Sequence, residues 1–203
     1  MSLVFKTVEE RFDHLFAVLS SERFRRREGL GNEVPFFVAP YPPEQETQME
    51  AAIEDLLIKP LRIQHGITVI HLNLYDLCVE ILKENGVWDD ILAVESEISL
   101  DEKLETMKNC VEPKEFLIPK ILEKLEGKDY AALLLSGAGT VYPFLRTHTI
   151  FENLQSSIKD RPTVLLFPGC YNYSESNGRV LNLFGEFDDD RYYRAFNLDD
   201  YLV

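Results

Sequence analysis

Residues 129–154 read DYAALLLSGAGTVYPFLRTHTIFENL, and the fold turns on them. Residues 130–135 are an unbroken apolar run of strand length with nothing charged to face water. Such a run suits a central parallel strand covered on both faces. Ser136-Gly137-Ala138-Gly139-Thr140 then supplies small residues where a chain leaving a sheet must turn sharply. The spacing predicts a helix starting near Pro143, whose missing N–H costs nothing in a first turn. Phe144, Phe151, Leu154 and Ile158 recur at helical spacing along it, giving one apolar stripe. A strand, a tight turn and a helix make half of a βαβ crossover. Its loop falls at the carboxyl edge, where open α/β sheets place their sites.

Working outward, residues 34–39 (VPFFVA), 67–72 (ITVIHL) and 163–167 (TVLLF) read as three further strands. Helical periodicity runs through residues 5–25, with Phe12, Leu15, Phe16 and Leu19 on one face and Glu9, Glu10, Arg11 and Asp13 mostly on the other. It recurs from Met49 to Leu57, from Leu77 to Leu82 and from Phe116 to Leu125. Residues 95–112 are acidic with a thin apolar stripe, as in a peripheral helix or a lid. Residues 179–187 and 191–198 flank Asp188-Asp189-Asp190 as a C-terminal β-hairpin. The expectation is one α/β domain over residues 1–203, with 1–28 a helical arm. Its sheet should be doubly wound and mostly parallel, with helices on both faces, like that of a P-loop NTPase without the phosphate loop.

The chain has 203 residues, a formal net charge of −14 and 45% hydrophobic content. A surface this acidic repels phosphate, so no direct, tight binding of nucleic acid is expected. Cys78, Cys110 and Cys170 are odd in number and widely spaced, which favours free thiols over a disulfide framework or a zinc site. The amino terminus carries early charges and no apolar core of signal-peptide length, and no window approaches a membrane span. A cytoplasmic protein is expected.

A phosphate-binding loop needs glycines after the first strand and a lysine to neutralise charge. Here the first strand leads into Pro40, Pro42 and Pro43, which donate no N–H, and into Glu44 and Glu46, which repel phosphate. The metal-holding Asp expected at the end of a later apolar strand is replaced by Ser136. Leu135-Ser136-Gly137 also lacks the earlier glycine of a nucleophile elbow. His14, His65, His71 and His148 show no metal-ligand spacing, and His71 and His148 read as hydrogen-bonded core residues. The three aspartates read as a solvated turn before a cation site. No catalytic constellation, metal site or cofactor is expected.

Two surfaces remain as candidates for a partner or ligand. One is the carboxyl edge at Ser136, Gly137, Gly139 and Arg146; the other is Gly29 and Gly31 with Arg26 in the basic run Arg23 to Arg27. Glycines at a strand end let a partner approach the backbone, and arginine is enriched in binding hot spots. The plainer alternatives are that the glycines make turns and that the arginines pair with Glu22 and Glu28.

The segments REGLGNEVPF (27–36), YPPE (41–44), LLSGAGTVYPFLRTH (134–148), LLFPGCYN (165–172) and LFGEFDDDRYYRAF (183–196) resemble the BrxB family, a small component of BREX bacteriophage-exclusion systems. The resemblance spans nearly the whole chain. It implies a role in antiviral defence beside a methyltransferase, a large ATPase and other BREX components. The partner it implies is PglZ-like, of the alkaline-phosphatase superfamily. It carries over no catalytic residue. Two functions follow: a non-catalytic adaptor or scaffold, or an enzyme or small-ligand binder using the 136–146 loop.

Overall fold

The computed structural model describes residues 5–28, 35–174, 178–189 and 195–201, without the side chains of 172–174, 178–179 and 187–189. In chain order, α1 (Val8–Ser20) and α2 (Glu22–Arg25) precede β1 (Phe36–Tyr41). α3 (Glu46–Ile53) continues through a π-helical turn at Glu54–Ile58 into α4 (Lys59–His65). β2 (Val69–Asn73) leads to α5 (Leu74–Glu84), α6 (Trp88–Val94), α7 (Leu100–Cys110), a second π-helical turn at Pro113–Leu117 and α8 (Ile118–Leu125). Then come β3 (Ala132–Ser136), α9 (Thr147–Ser157), β4 (Thr163–Ser174), β5 (Gly178–Leu183), β6 (Phe187–Asp189) and β7 (Phe196–Asn197).

The strands form one sheet in the order β2-β3-β4-β1-β7, all parallel. β4 continues past its parallel partners, and its second half pairs antiparallel with β5, which pairs antiparallel with β6. Side-chain alternation along the strands divides the core into two clusters. Phe36, Val38, Leu133, Leu135, Leu165 and Phe167 face α5, α8 and α9, meeting Leu77, Ile121 and Phe151 among others. Phe37, Ala39, Leu134, Val164 and Leu166 face α1, α3 and α4, meeting Phe12, Leu15, Ile53 and Leu61. Helices therefore cover both faces of a mostly parallel sheet. This requires β3 to be apolar up to its last residue, Ser136, and Leu133, Leu134 and Leu135 are all fully buried.

Local chemistry sets the element ends. The Thr7 hydroxyl accepts from Glu10 N–H at the start of α1, and the Asn73 side chain accepts from Tyr75 and Asp76 N–H at the start of α5. Ser99 and Glu102 form a capping box at the start of α7, so the acidic stretch holds a peripheral helix that buries none of its residues fully.

Several expectations are corrected. β1 keeps Pro40, which pairs in register with Phe167. The strand tolerates it because pairing with β7 ends at Val38, so the missing donor lies beyond that ladder. The central helix begins at Thr147, after a long turn containing a cis Tyr142–Pro143 peptide. That turn is held by Val141 N–H to Gly137 O and Leu145 N–H to Val141 O, with both side chains buried. The strand expected over 163–167 runs on to Ser174, because β5 supplies the added residues with a partner. The hairpin reverses at Phe184–Gly185, closed by Glu186 N–H to Leu183 O, so Asp188 and Asp189 lie in β6 rather than in a turn. Asp190 and Val34 lie outside the described residues. Arg11, read from periodicity as solvent-facing, is 1% exposed and paired with Asp199.

Candidate functional site

Three strand ends and the first two turns of α3 meet at the carboxyl edge. β1 runs out through Tyr41 and Pro42 into a short 3-10 turn, Pro43–Gln45, and α3 starts at Glu46. Helical spacing puts Glu50 one turn further along the same face. β2 delivers His71 and Asn73, and β3, paired with it in register, delivers Ser136 opposite Asn73.

These side chains close on one another. Ser136 Oγ donates to Glu50 Oε2 at 3.0 Å, and Asn73 Nδ2 donates to the same oxygen at 3.1 Å. His71 Nε2 lies 2.8 Å from Ser136 Oγ. The single hydroxyl hydrogen of Ser136 is committed to Glu50, so the His71 contact requires Nε2 to carry the hydrogen and donate. That order is the reverse of a nucleophilic serine, whose histidine accepts the hydroxyl proton. Ser136 is also fully buried.

The electrostatics follow from burial among carboxylates. Burial first, then Glu50, pushes the Glu46 carboxyl above its ordinary range, while a hydrogen bond from Thr140 opposes the shift. Glu46 Oε1 is buried with no hydrogen-bond partner. Burial, then Glu46 and Glu50, raises the Tyr41 phenol. Burial lowers His71, and Glu50, Asp76 and Glu54 work against it. Two carboxylates thus occupy the place after β1 where a nucleotide site would offer backbone amides.

The structure brings Ser136, Gly137 and Gly139 to this edge but leaves both glycines buried. Gly137 has φ +77°, and a Cβ there would meet Asn73 Oδ1 at 2.7 Å. At Gly139 a Cβ would meet Glu46 Oε1 at 2.7 Å and both Phe184 and Pro168 at 2.9 Å. The backbone is approached closely here, by the protein's own side chains. Arg146 is exposed and stands at the cap position of α9 rather than one turn into it. It lines a separate cavity of about 300 Å³ with Lys108, Asn109, Glu112 and Thr149.

In the basic run, Arg26 is exposed and paired with Glu22, Arg27 donates to Lys159 O at 2.7 Å, and Arg23 lies over the Tyr201 ring. Gly29 and Gly31 lie outside the described residues. His148 is buried on α9. All three cysteines are free thiols, and burial pushes Cys78 up to about 12. Among the described residues no His, Cys, Asp and Glu cluster is placed to hold a metal, and no helix is long and apolar enough to cross a membrane. Reading the sequence missed the roles of Glu50 and Asn73, while His71 is hydrogen-bonded, as read, though only half-buried. The available signal was Glu50 lying beside Met49 near the buried stripe of α3, with two strands ending in Asn73 and Ser136.

Comparison with known proteins places these features in context. The family model described as "BREX protein BrxB" matches residues 70–198. A BREX protein BrxB from Bacillus cereus (strain H3081.97) is 30% identical over 198 residues, covering 96% of this chain and 99% of that protein. One from Escherichia coli O9:H4 (strain HS) is 26% identical over 194 residues, covering 94% of this chain and 91% of that protein. No solved structure gives a significant match.

Proposed function

Because the chain belongs to the BrxB family of BREX components, we propose that it serves antiphage defence as a non-catalytic cytoplasmic adaptor that binds a PglZ-like partner. The observation that carries this reading is the clasp at the carboxyl edge. Glu50 there accepts from Ser136 and Asn73, and Glu46 stands at the start of α3. The crevice where an NTPase-like sheet would seat phosphates is filled by carboxylates that repel them. On this reading the sheet is a rigid platform with NTPase-like ancestry and no nucleotide site.

The test has two arms. Tagged protein, expressed with its co-encoded defence proteins, should retain the PglZ-like protein through purification. Isothermal calorimetry with ATP or GTP and magnesium should give no heat of binding at micromolar nucleotide. Low-micromolar, magnesium-dependent binding would remove the non-catalytic half of the proposal, and failure to retain any co-encoded protein would remove the adaptor half.

A second reading, a small-ligand binder using the 136–146 loop, is favoured by one observation. Arg146 and Lys108 both line the cavity at the start of α9, a combination suited to a small anion. Protection of this cavity by inorganic phosphate in hydrogen exchange, lost in Arg146→Ala, would select this reading over the adaptor.

A further inference from the structure

At the amino edge of the sheet, away from the clasp, α8 and α9 end beside one another on a groove of about 540 Å³. Its lining includes Leu125 and Glu126 at the end of α8, and Ser157 and Ile158 at the end of α9. The apolar surface comes from Leu122, Leu125, Ile158 and the Tyr130 ring, and Leu122 remains 37% exposed. The charged residues that line the groove are all acidic, Glu123, Glu126 and Asp160, and of these Glu123 is paired with Lys120 at 3.2 Å.

We propose that this groove docks a basic segment of a partner protein, one that buries an apolar stem and presents an arginine or lysine head. The inference rests on the adaptor reading and names its surface. Four features favour the same occupant. Two helices direct the negative ends of their dipoles at the groove, and α9 has no basic residue in its last turn to offset its own. Glu126 has no ion-pair partner among the described residues, and Asp160 reaches Arg161 only loosely, at 4.0 Å. The Tyr130 ring already takes one guanidinium, that of Arg161, 5.9 Å from its centroid. The mixture of apolar floor and acidic rim matches the amphipathic shape of an arginine or lysine side chain, whose stem packs while its head pairs. The volume has room for a few side chains, as in a hot-spot pocket.

The experiment co-expresses tagged protein with the complete set of co-encoded defence proteins and quantifies the PglZ-like protein retained. Wild type is compared with Glu126→Lys/Asp160→Lys, with Leu122→Asn, and with Asp89→Lys/Asp90→Lys as a charge control elsewhere. All are first checked for unchanged melting temperature, and the Leu122 variant serves if the charge-reversed one melts early. About tenfold loss of partner in the groove variants, with the control bound normally, is expected. Normal retention by folded groove variants overturns the groove and leaves the adaptor reading standing. Equal loss in the control means diffuse charge and overturns it too. A groove variant that changes the mass of the isolated protein in light scattering assigns the groove to a second copy and overturns partner docking. If wild type retains no co-encoded protein, the adaptor reading and the groove fall together.

Discussion

Arg11 and Asp199 form an ion pair inside the protein, joining the first helix to the last described turn across 188 residues. Both are buried, and the Arg11 guanidinium also lies 4.6 Å from the centre of the Phe5 ring. Arg11 Nε and Nη2 have no hydrogen-bond partner, so Asp199 carries most of the compensation for its desolvation. Removing one partner strands the other's charge in the core. Arg11→Ala should therefore lose about 3–5 kcal/mol in urea unfolding, whereas Arg11→Met/Asp199→Leu should recover much of that loss. A single variant as stable as wild type would mean that water reaches the site.

The carboxyl edge can be separated into architecture and surface by two substitutions. Gly139→Ala places a Cβ against Glu46, Phe184 and Pro168, and crowding of that kind costs about 1–3 kcal/mol. Arg146→Ala removes an exposed side chain and should change stability by no more than about 0.5 kcal/mol. Thermal or urea denaturation of both proteins checks the contrast. It also makes Arg146→Ala the cleaner probe of partner or ligand binding, because any loss at Gly139 is confounded with folding. Equal destabilisation by both changes would contradict this division.

The central sheet was legible because its signal is local. Residues 130–135 contain nothing charged to face water, and the structure buries Leu133, Leu134 and Leu135 completely. The clasp was not legible, because Glu50 and Ser136 are 86 residues apart and only the strand register brings them together. Periodicity placed Arg11 on the polar side of α1, since hydrophobicity alone cannot register a buried cation whose partner lies at the other end of the chain. The hairpin turn was misplaced for a related reason. Three aspartates resemble a turn, yet Phe184–Gly185 makes it, and pairing with β5 sets the strand that holds Asp188 and Asp189.

Protonation at the carboxyl edge should make stability depend on pH in two opposing ways. Burial lowers His71 from 6.5, with Glu50, Asp76 and Glu54 opposing, so below pH 6.5 the unfolded chain takes up a proton that the folded chain refuses. Stability from His71 is therefore present above 6.5 and is lost as pH falls below it. Burial lowers His14 too, so His71→Gln should flatten only part of that loss.

Glu46 has the opposite sign. Its folded carboxyl holds a proton to higher pH than the ordinary 4.5, because of burial and then Glu50. Its contribution is present below 4.5 and is lost as pH rises through the folded value. Glu46→Gln should thus stabilise the protein at pH 8, by roughly 0.3–0.5 kcal/mol from relief of the like-charge pair alone. The gain should shrink toward pH 5. Urea titrations of wild type and variant at both pH values test the sign, and a variant less stable at pH 8 would refute it.

Duplex DNA should bind the isolated protein weakly, and only at low salt. The net charge of −14 opposes approach at long range, and a short-range exception would need a free basic surface. The densest basic run does not provide one: Arg26 is paired with Glu22, Arg27 donates to Lys159 O, Arg25 donates to Ser20 O at 3.3 Å, and Arg23 stacks on Tyr201. Arg26 would have to leave Glu22 to neutralise a phosphate, and the other three are already engaged in part within the protein. Few phosphates would be neutralised, so binding should be weak even at low ionic strength, and its salt dependence should carry it out of range near 150 mM, where the Debye length is about 8 Å. Fluorescence anisotropy against a labelled duplex at several salt concentrations measures both quantities. Sub-micromolar affinity at physiological salt would require a basic surface that these contacts do not leave, and would turn attention from protein partners to the phage genome.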